Sequence, residues 1–165
     1  MISSLQQHEV FIFGSNANGF HGAGSAGLAC RGDAKNTWRK DPWFLEAMKS
    51  PPGSPKRVGK WAVYGVARGF QCGKEGKSYA IQTIEFPGKK RSTSLAEIKK
   101  QLRELADYAK VNPQYNFLMT PIGVGLAGWT NSEMRQIWTE IVNEMPNNVK
   151  VPNNLYIDEA DPLMT

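Results

Sequence analysis

The stretch "VFIFGSNANGFHGAGSAG", residues 10–27, decides how this chain of 165 residues is read. Val10 to Phe13 is a short apolar run of aromatic and β-branched residues, which predicts a buried strand stopped at Gly14. Behind it, Gly22, Gly24 and Gly27 form a literal G-x-G-x-x-G, the spacing of dinucleotide-binding loops. That fingerprint needs its first glycine at the strand end, a helix opening within the motif, and an acidic residue about 20 positions later at the end of a second strand. Gly22 instead lies eight positions beyond Gly14, and Asp41, at about the right distance, is preceded by "NTWRK" and followed by Pro42. A Rossmann site is disfavoured on both grounds, and a P-loop is excluded because no G-x-x-x-x-G-K-[ST] occurs.

What remains is a different kind of loop. "GSNANG" carries two asparagines, whose amides both donate and accept, and "HGAG" lets backbone approach a ligand closely. Such a segment suits a ribose and a diphosphate. A second glycine-rich stretch, "PIGVGLAGW", follows another predicted strand, Asn116 to Thr120, and its backbone N–H groups can form an anion-binding nest or cap the helix behind it. Two tight turns without any ligand are the alternative.

Between and beyond these loops the pattern is α/β. Trp43 to Lys49 is a short helical candidate, followed by "SPPGSPKR", which excludes regular structure. Trp61 to Val66 is apolar enough for an edge strand, and after the loop "GFQCGKEGK" the segment Ser78 to Ile84 is a stronger strand candidate. A helix starts at Ser94, where Ser94 and Glu97 make a capping box and Leu95, Ile98, Leu102, Leu105 and Ala109 share one face; Asn112-Pro113 ends it. Thr130 and Glu133 cap a second helix with Met134, Ile137, Trp138 and Ile141 as its stripe, closed by Pro146. Leu155 to Ile157 reads as a last strand before an acidic tail. Strands and helices alternate without clean period-two patterning, so the expectation is one α/β layered domain spanning 1–165, its sheet covered on both faces. Ligands gather at the carboxyl ends of strands in such sheets, where both glycine loops would converge.

Composition narrows the function classes. Apolar residues at 41% and charged residues at 21% are ordinary for a soluble domain, and no apolar run approaches the roughly 18 residues of a membrane span. Met1 to Glu9 lack the features of a secretory signal, so a cytoplasmic protein without a membrane partner is expected. Cys30 and Cys72 stand far apart, and with only His8 and His21 present there is no zinc-type cluster; no metal and no cofactor is expected. The net charge of +5 is concentrated in residues 31–60, where eight Lys and Arg face three acids. That insert is either a solvated surface segment or a contact for nucleic acid or polyphosphate.

The order "VFIFGSNANGFHGAGSAG", "SYAIQT", capped helix and "FLMTPIGVGLAGW" resembles the small bacterial and phage proteins related to macro domains, which are α/β/α modules that bind ADP-ribose. The likeness covers Val10 to Cys30 and Tyr64 to about Val142. It implies a three-layer α/β/α fold with a mixed central sheet, a first loop that approaches the distal ribose, a second that wraps diphosphate and ribose, and, as in several members, hydrolysis of ADP-ribosyl derivatives. The ligand-binding residues it implies here are Gly14, Ser15, Asn16, Asn18, Gly22, Ala23 and Gly24 of the first loop, Gln82, and Ile122, Gly123, Val124, Gly125, Leu126, Ala127 and Gly128 of the second. Two departures bear on substrate choice: Gln82 stands where the family more often has proline, and residues 31–60 look inserted.

Hydrolysis of this type needs no strong nucleophile, because oriented ribose, a fixed hydroxyl and a phosphate-held water suffice. Asn16 is the expected orienting amide and His21 the candidate general acid or base, with a backbone-bonded histidine as the other reading of His21. Asn18 is equally explained as a turn residue. Neither loop holds a pair of carboxylates, which leaves glycosidase-like acid/base work unsupported. Arg68, Gln71 and Gln82 are candidates to line the crevice, and Trp129 is either a stacking platform or a core residue. Three functions stay open: a phosphatase or ADP-ribosyl hydrolase acting on an ADP-ribose derivative, a binding module without turnover, and a nucleic-acid binder using the basic insert.

Overall fold

The computed structural model describes residues 6–16, 68–72, 77–85 and 89–157. Among them, five strands form one mixed sheet: β1 (Glu9–Asn16), β2 (Gly69–Cys72), β3 (Lys77–Ile84), β4 (Asn116–Leu118) and β5 (Val149–Lys150), in the order β2-β3-β1-β4-β5. β1 runs parallel to both β3 and β4, β4 runs parallel to β5, and only the edge strand β2 is antiparallel. Two helices follow the strands they serve, α1 (Leu95–Lys110) between β3 and β4 and α2 (Asn131–Ile141) between β4 and β5.

Among the described residues, the apolar positions expected at the core are buried, with Leu95 packed against their edge. Val10 and Ile12 of β1, Tyr79 and Ile81 of β3 and Phe117 of β4 pack in one cluster with Ile98, Leu102, Leu105 and Ala109 of α1 and Met134, Ile137, Trp138 and Ile141 of α2. Burial of a side chain such as Leu102 or Ile137 is worth roughly 1.5–3 kcal/mol, so the two amphipathic stripes supply the main driving force on this face. Phe11, Phe13, Ser78 and Ala80 alternate to the opposite face and are equally buried. Both faces of the central strands are therefore covered, which explains their continuous apolar reading and fits a three-layer α/β/α arrangement.

Several boundaries differ from the sequence expectation. β1 does not stop at Gly14 but continues to Asn16, because β3 runs alongside and pairs Gly14 with Ile81 and Ser15 with Gln82. Part of the expected loop "GFQCGKEGK" is strand β2, zipped against β3 from Gly69–Ala80 to Cys72–Lys77. The last strand is Val149–Lys150, not Leu155 to Ile157. Leu155 donates its N–H to the Pro152 carbonyl in a turn, and Tyr156 has φ +57°, a left-handed backbone that cannot extend a ladder; both side chains are buried by packing instead. The capping box at Thr130–Glu133 is complete. At α1, the Ser94 hydroxyl accepts from the Glu97 N–H as expected, whereas the Glu97 carboxylate pairs with Arg68. The expected elements at 43–49 and 61–66 lie outside the described residues.

The strand order positions the site. From β1 the chain passes to β3 on one side, then crosses back past β1 to β4 and on to β5 on the other. Succession reverses between β1 and β4, and the carboxyl ends of those two strands, the place where open α/β sheets generally bind their ligands, carry the two segments singled out in the sequence.

Candidate functional site

The first side of the crevice is the end of β1. A Cβ at Gly14 would lie 3.1 Å from the Thr83 hydroxyl oxygen and 3.9 Å from Ile122 Cβ, so the absence of a side chain lets β1 approach both β3 and the second loop. One residue later the register with β3 shifts: Ser15 faces Gln82, but Asn16 faces Ile84. The extra residue, Thr83, turns its hydroxyl to the Ser15 carbonyl at 3.4 Å. Irregularities of this kind re-aim side chains at strand ends, and this one falls at Asn16, which is half-buried.

Gln82 is bound to the scaffold through its backbone. Its N–H donates to Gln101 Oε1 at 2.6 Å and its carbonyl accepts from Gln101 Nε2 at 2.9 Å, so one side chain of α1 satisfies both backbone groups. The Gln82 side chain is half-buried, in register with Ser15.

The second side is the segment Ile122–Gly128. The Thr120 hydroxyl donates to the Ile12 carbonyl at 2.7 Å, tying the end of β4 to β1 just before the loop begins. Gly123, Gly125 and Gly128 all have positive φ, but for different surroundings. A Cβ at Gly123 would meet Met134 Sδ at 2.5 Å and one at Gly128 would meet Lys90 Cβ at 2.7 Å, whereas nothing lies within 4 Å of the Gly125 position. The loop's ends are thus packed and its crown is open. The crown is a short 3-10 turn, Gly125–Ala127, closed by the Gly128 N–H to the Gly125 carbonyl at 3.0 Å, with Leu126 standing 84% exposed. Among the described residues, no backbone carbonyl accepts from Val124, Gly125 or Leu126 N–H. These are the leading N–H groups of the 3-10 turn, which its own carbonyls do not reach.

The loop is braced from outside. Arg91 donates its backbone N–H to the Ala127 carbonyl at 2.7 Å and its Nε to the Gly128 carbonyl at 3.2 Å. The same guanidinium makes a two-pronged pair with Glu133 at 2.9 and 3.1 Å and lies 4.7 Å over the Trp129 ring. The Thr130 backbone N–H first, then the Thr130 hydroxyl and Arg91, hold the Glu133 carboxyl below the usual carboxylate range. From the other end, the buried Tyr156 hydroxyl donates to the Ile122 carbonyl at 2.7 Å, and burial keeps that phenol neutral by pushing its pKa up.

Gly14, Ser15, Asn16 and Gln82 accordingly share one strand end, and Gly14 lies near the second loop at Ile122, which a Cβ at position 14 would approach to 3.9 Å. Asn18, His21, Gly22, Ala23 and Gly24, and the basic insert, lie outside the described residues, as does the Gln71 side chain. Arg68 does not line the crevice: its guanidinium reaches Glu97 and Glu104 on α1 at 2.7 and 2.9 Å, an edge-strand clamp. Trp129 is packed on the core and donates its indole N–H to the Thr93 carbonyl at 3.1 Å, which favours the structural reading of that residue. Sequence reasoning missed Thr83, Gln101, Arg91 and Tyr156. Gln101 was detectable as a polar residue beside Leu102 within the buried stripe; an arginine or tyrosine in left-handed backbone leaves no signature in sequence.

A cavity of about 570 Å³ lies at the ends of β4 and β5, lined by Met119, Thr120, Pro121, Lys150, Asn154 and Leu155 among others. Among the described residues, no group of three His, Cys, Asp or Glu side chains is placed to hold a metal, and no helix is long and apolar enough to cross a membrane. Compared with known proteins, the chain matches no family model and, at a significant level, no curated sequence.

Proposed function

We propose that the crevice between the β1 and β4 ends binds ADP-ribose or a close derivative and hydrolyses it, removing a 1″-phosphate or an ADP-ribosyl group. The observation that carries this reading is the meeting of the Gly14–Asn16 strand end with the Ile122–Gly128 loop at the point where strand succession reverses. The crown N–H groups of Val124 to Leu126 suit a diphosphate, a ligand whose charge is spread over several oxygens and needs no lysine when backbone donors converge. Asn16, at the register shift, is the residue in this reading that orients a ribose hydroxyl. Orientation of the ribose and a phosphate-held water then carry the reaction, with His21 as the proton carrier.

The test is turnover of ADP-ribose-1″-phosphate and of an ADP-ribosylated protein by the full chain and by Asn16→Ala. The expected result is hydrolysis of one of them that falls at least about tenfold in the variant, the scale of a lost orienting hydrogen bond. Binding of ADP-ribose without turnover of either substrate would instead make the protein a binding module.

A further inference from the structure

Among the described residues, two that are not glycine have positive φ, Arg91 at +55° and Tyr156 at +57°. They are 65 positions apart in the chain, yet both end on the same seven-residue loop. Tyr156 holds the Ile122 carbonyl at its start, and Arg91 holds the Ala127 and Gly128 carbonyls at its close. Left-handed backbone is costly for residues with a Cβ and persists where surrounding contacts over-determine it, a pattern concentrated at functional sites. Here the contacts are present: Tyr156 is buried in the core cluster, and Arg91 is fixed by Glu133 and Trp129.

The geometry points to Arg91 and Tyr156 as positioning residues that hold loop 122–128 in its ligand-binding shape before the ligand arrives, an inference that rests on the proposed diphosphate site. In a trans peptide the N–H points away from the preceding C=O, so fixing the Ile122 carbonyl also fixes the direction of the Gly123 N–H. Fixing the Ala127 carbonyl does the same for the Gly128 N–H, which closes the crown turn on Gly125. Neither side chain has to touch the ligand. Their effect is to keep the crown donors of Val124 to Leu126 in one arrangement, so that the ordering of the loop is not charged against ligand binding.

Two conservative variants of the full chain separate this from a general structural role. Tyr156→Phe keeps the ring and removes the hydroxyl. Arg91→Lys keeps the positive charge and the backbone N–H to the Ala127 carbonyl but loses the forked pairing with Glu133 and the Nε donor to Gly128, the contacts that fix the residue at that bond. Amide hydrogen exchange is measured at residues 123–128 and, as reference, at 98–106 of α1, alongside titration with ADP-ribose. The expected result for each variant is exchange about tenfold faster in the loop with the helix unchanged, and ADP-ribose affinity reduced by a comparable factor. Loop exchange at the wild-type rate in both variants overturns the inference, as does faster exchange with unaltered affinity. Wild-type affinity in Arg91→Lys shows that charge alone matters at that position and removes Arg91 from the pair. If the wild-type chain does not bind ADP-ribose, the ligand reading fails, and the exchange comparison alone decides whether these residues hold the loop. Should Tyr156→Phe not fold, the partly exposed Arg91→Lys carries the comparison.

Discussion

Gly14 has Thr83 on one side and Ile122 on the other: a Cβ added to Gly14 would lie 3.1 Å from the Thr83 hydroxyl and 3.9 Å from Ile122 Cβ. That proximity places the end of the first conspicuous segment of the sequence beside the start of the second. A methyl at position 14 gains about 0.4–1 kcal/mol by restricting the unfolded chain, but it must displace Thr83, and overpacking of that kind costs typically 1–3 kcal/mol. Gly14→Ala should therefore destabilise by about 1 kcal/mol, read as a lower denaturation midpoint. Because Thr83→Ala removes the clashing hydroxyl, the double variant should lose less than the sum of the two single variants. A Gly14→Ala protein more stable than wild type would show that β1 is free to move.

The three loop glycines are not equivalent. At Gly125 an alanine meets no neighbour and bears only the left-handed backbone cost, about 1–2 kcal/mol. At Gly123 the same backbone cost is joined by a collision with the Met134 thioether, the side chain of a fully buried core residue. Thermal melts should rank Gly123→Ala well below Gly125→Ala, by a further 1–3 kcal/mol or so. Equal melting temperatures would mean that Met134 yields freely.

Gln101 is 1% exposed and satisfies both backbone groups of Gln82. Gln101→Leu, close in size, leaves a part-buried N–H and carbonyl without that partner, and the expected loss is about 2–4 kcal/mol in urea unfolding. A loss comparable to an exposed substitution would indicate that Gln82 finds other partners at no cost.

The Glu133 carboxyl is held below its ordinary pKa of 4.5 by Thr130 and Arg91. A folded-state pKa below the unfolded one adds stability above the unfolded pKa and loses it as pH falls through the folded value. Melting temperature measured from pH 6 to pH 3 should thus drop less steeply for Glu133→Gln than for wild type, while Glu133→Gln should be the less stable protein at pH 6. Parallel profiles would mean that the carboxylate contributes nothing to the cap or to the hold on Arg91.

Much of this was legible in the sequence, for identifiable reasons. α1 and α2 start at Ser94–Glu97 and Thr130–Glu133 signals and carry their apolar stripes at helical spacing, so local chemistry and tertiary packing agree. β5 was misplaced because two residues are too short to show a period, while Leu155 and Tyr156 imitate a strand by being apolar. Glycine at 123 and 125 marked the second loop correctly. The residues that hold it, Arg91 and Tyr156, act through backbone conformation and long-range carbonyl contacts, neither of which is encoded in spacing. The register shift at Asn16 belongs to the same class: it exists only because β3 lies beside β1.

The central claim is that the two strand-end segments form one site for ADP-ribose, and calorimetric titration of the full chain with ADP-ribose, AMP and NAD tests it most directly. The predicted result is saturable one-to-one binding of ADP-ribose, tighter than either AMP or NAD and weakened in Asn16→Ala and in Gly125→Ala. No heat of binding for any of the three nucleotides, from a folded protein, would contradict it.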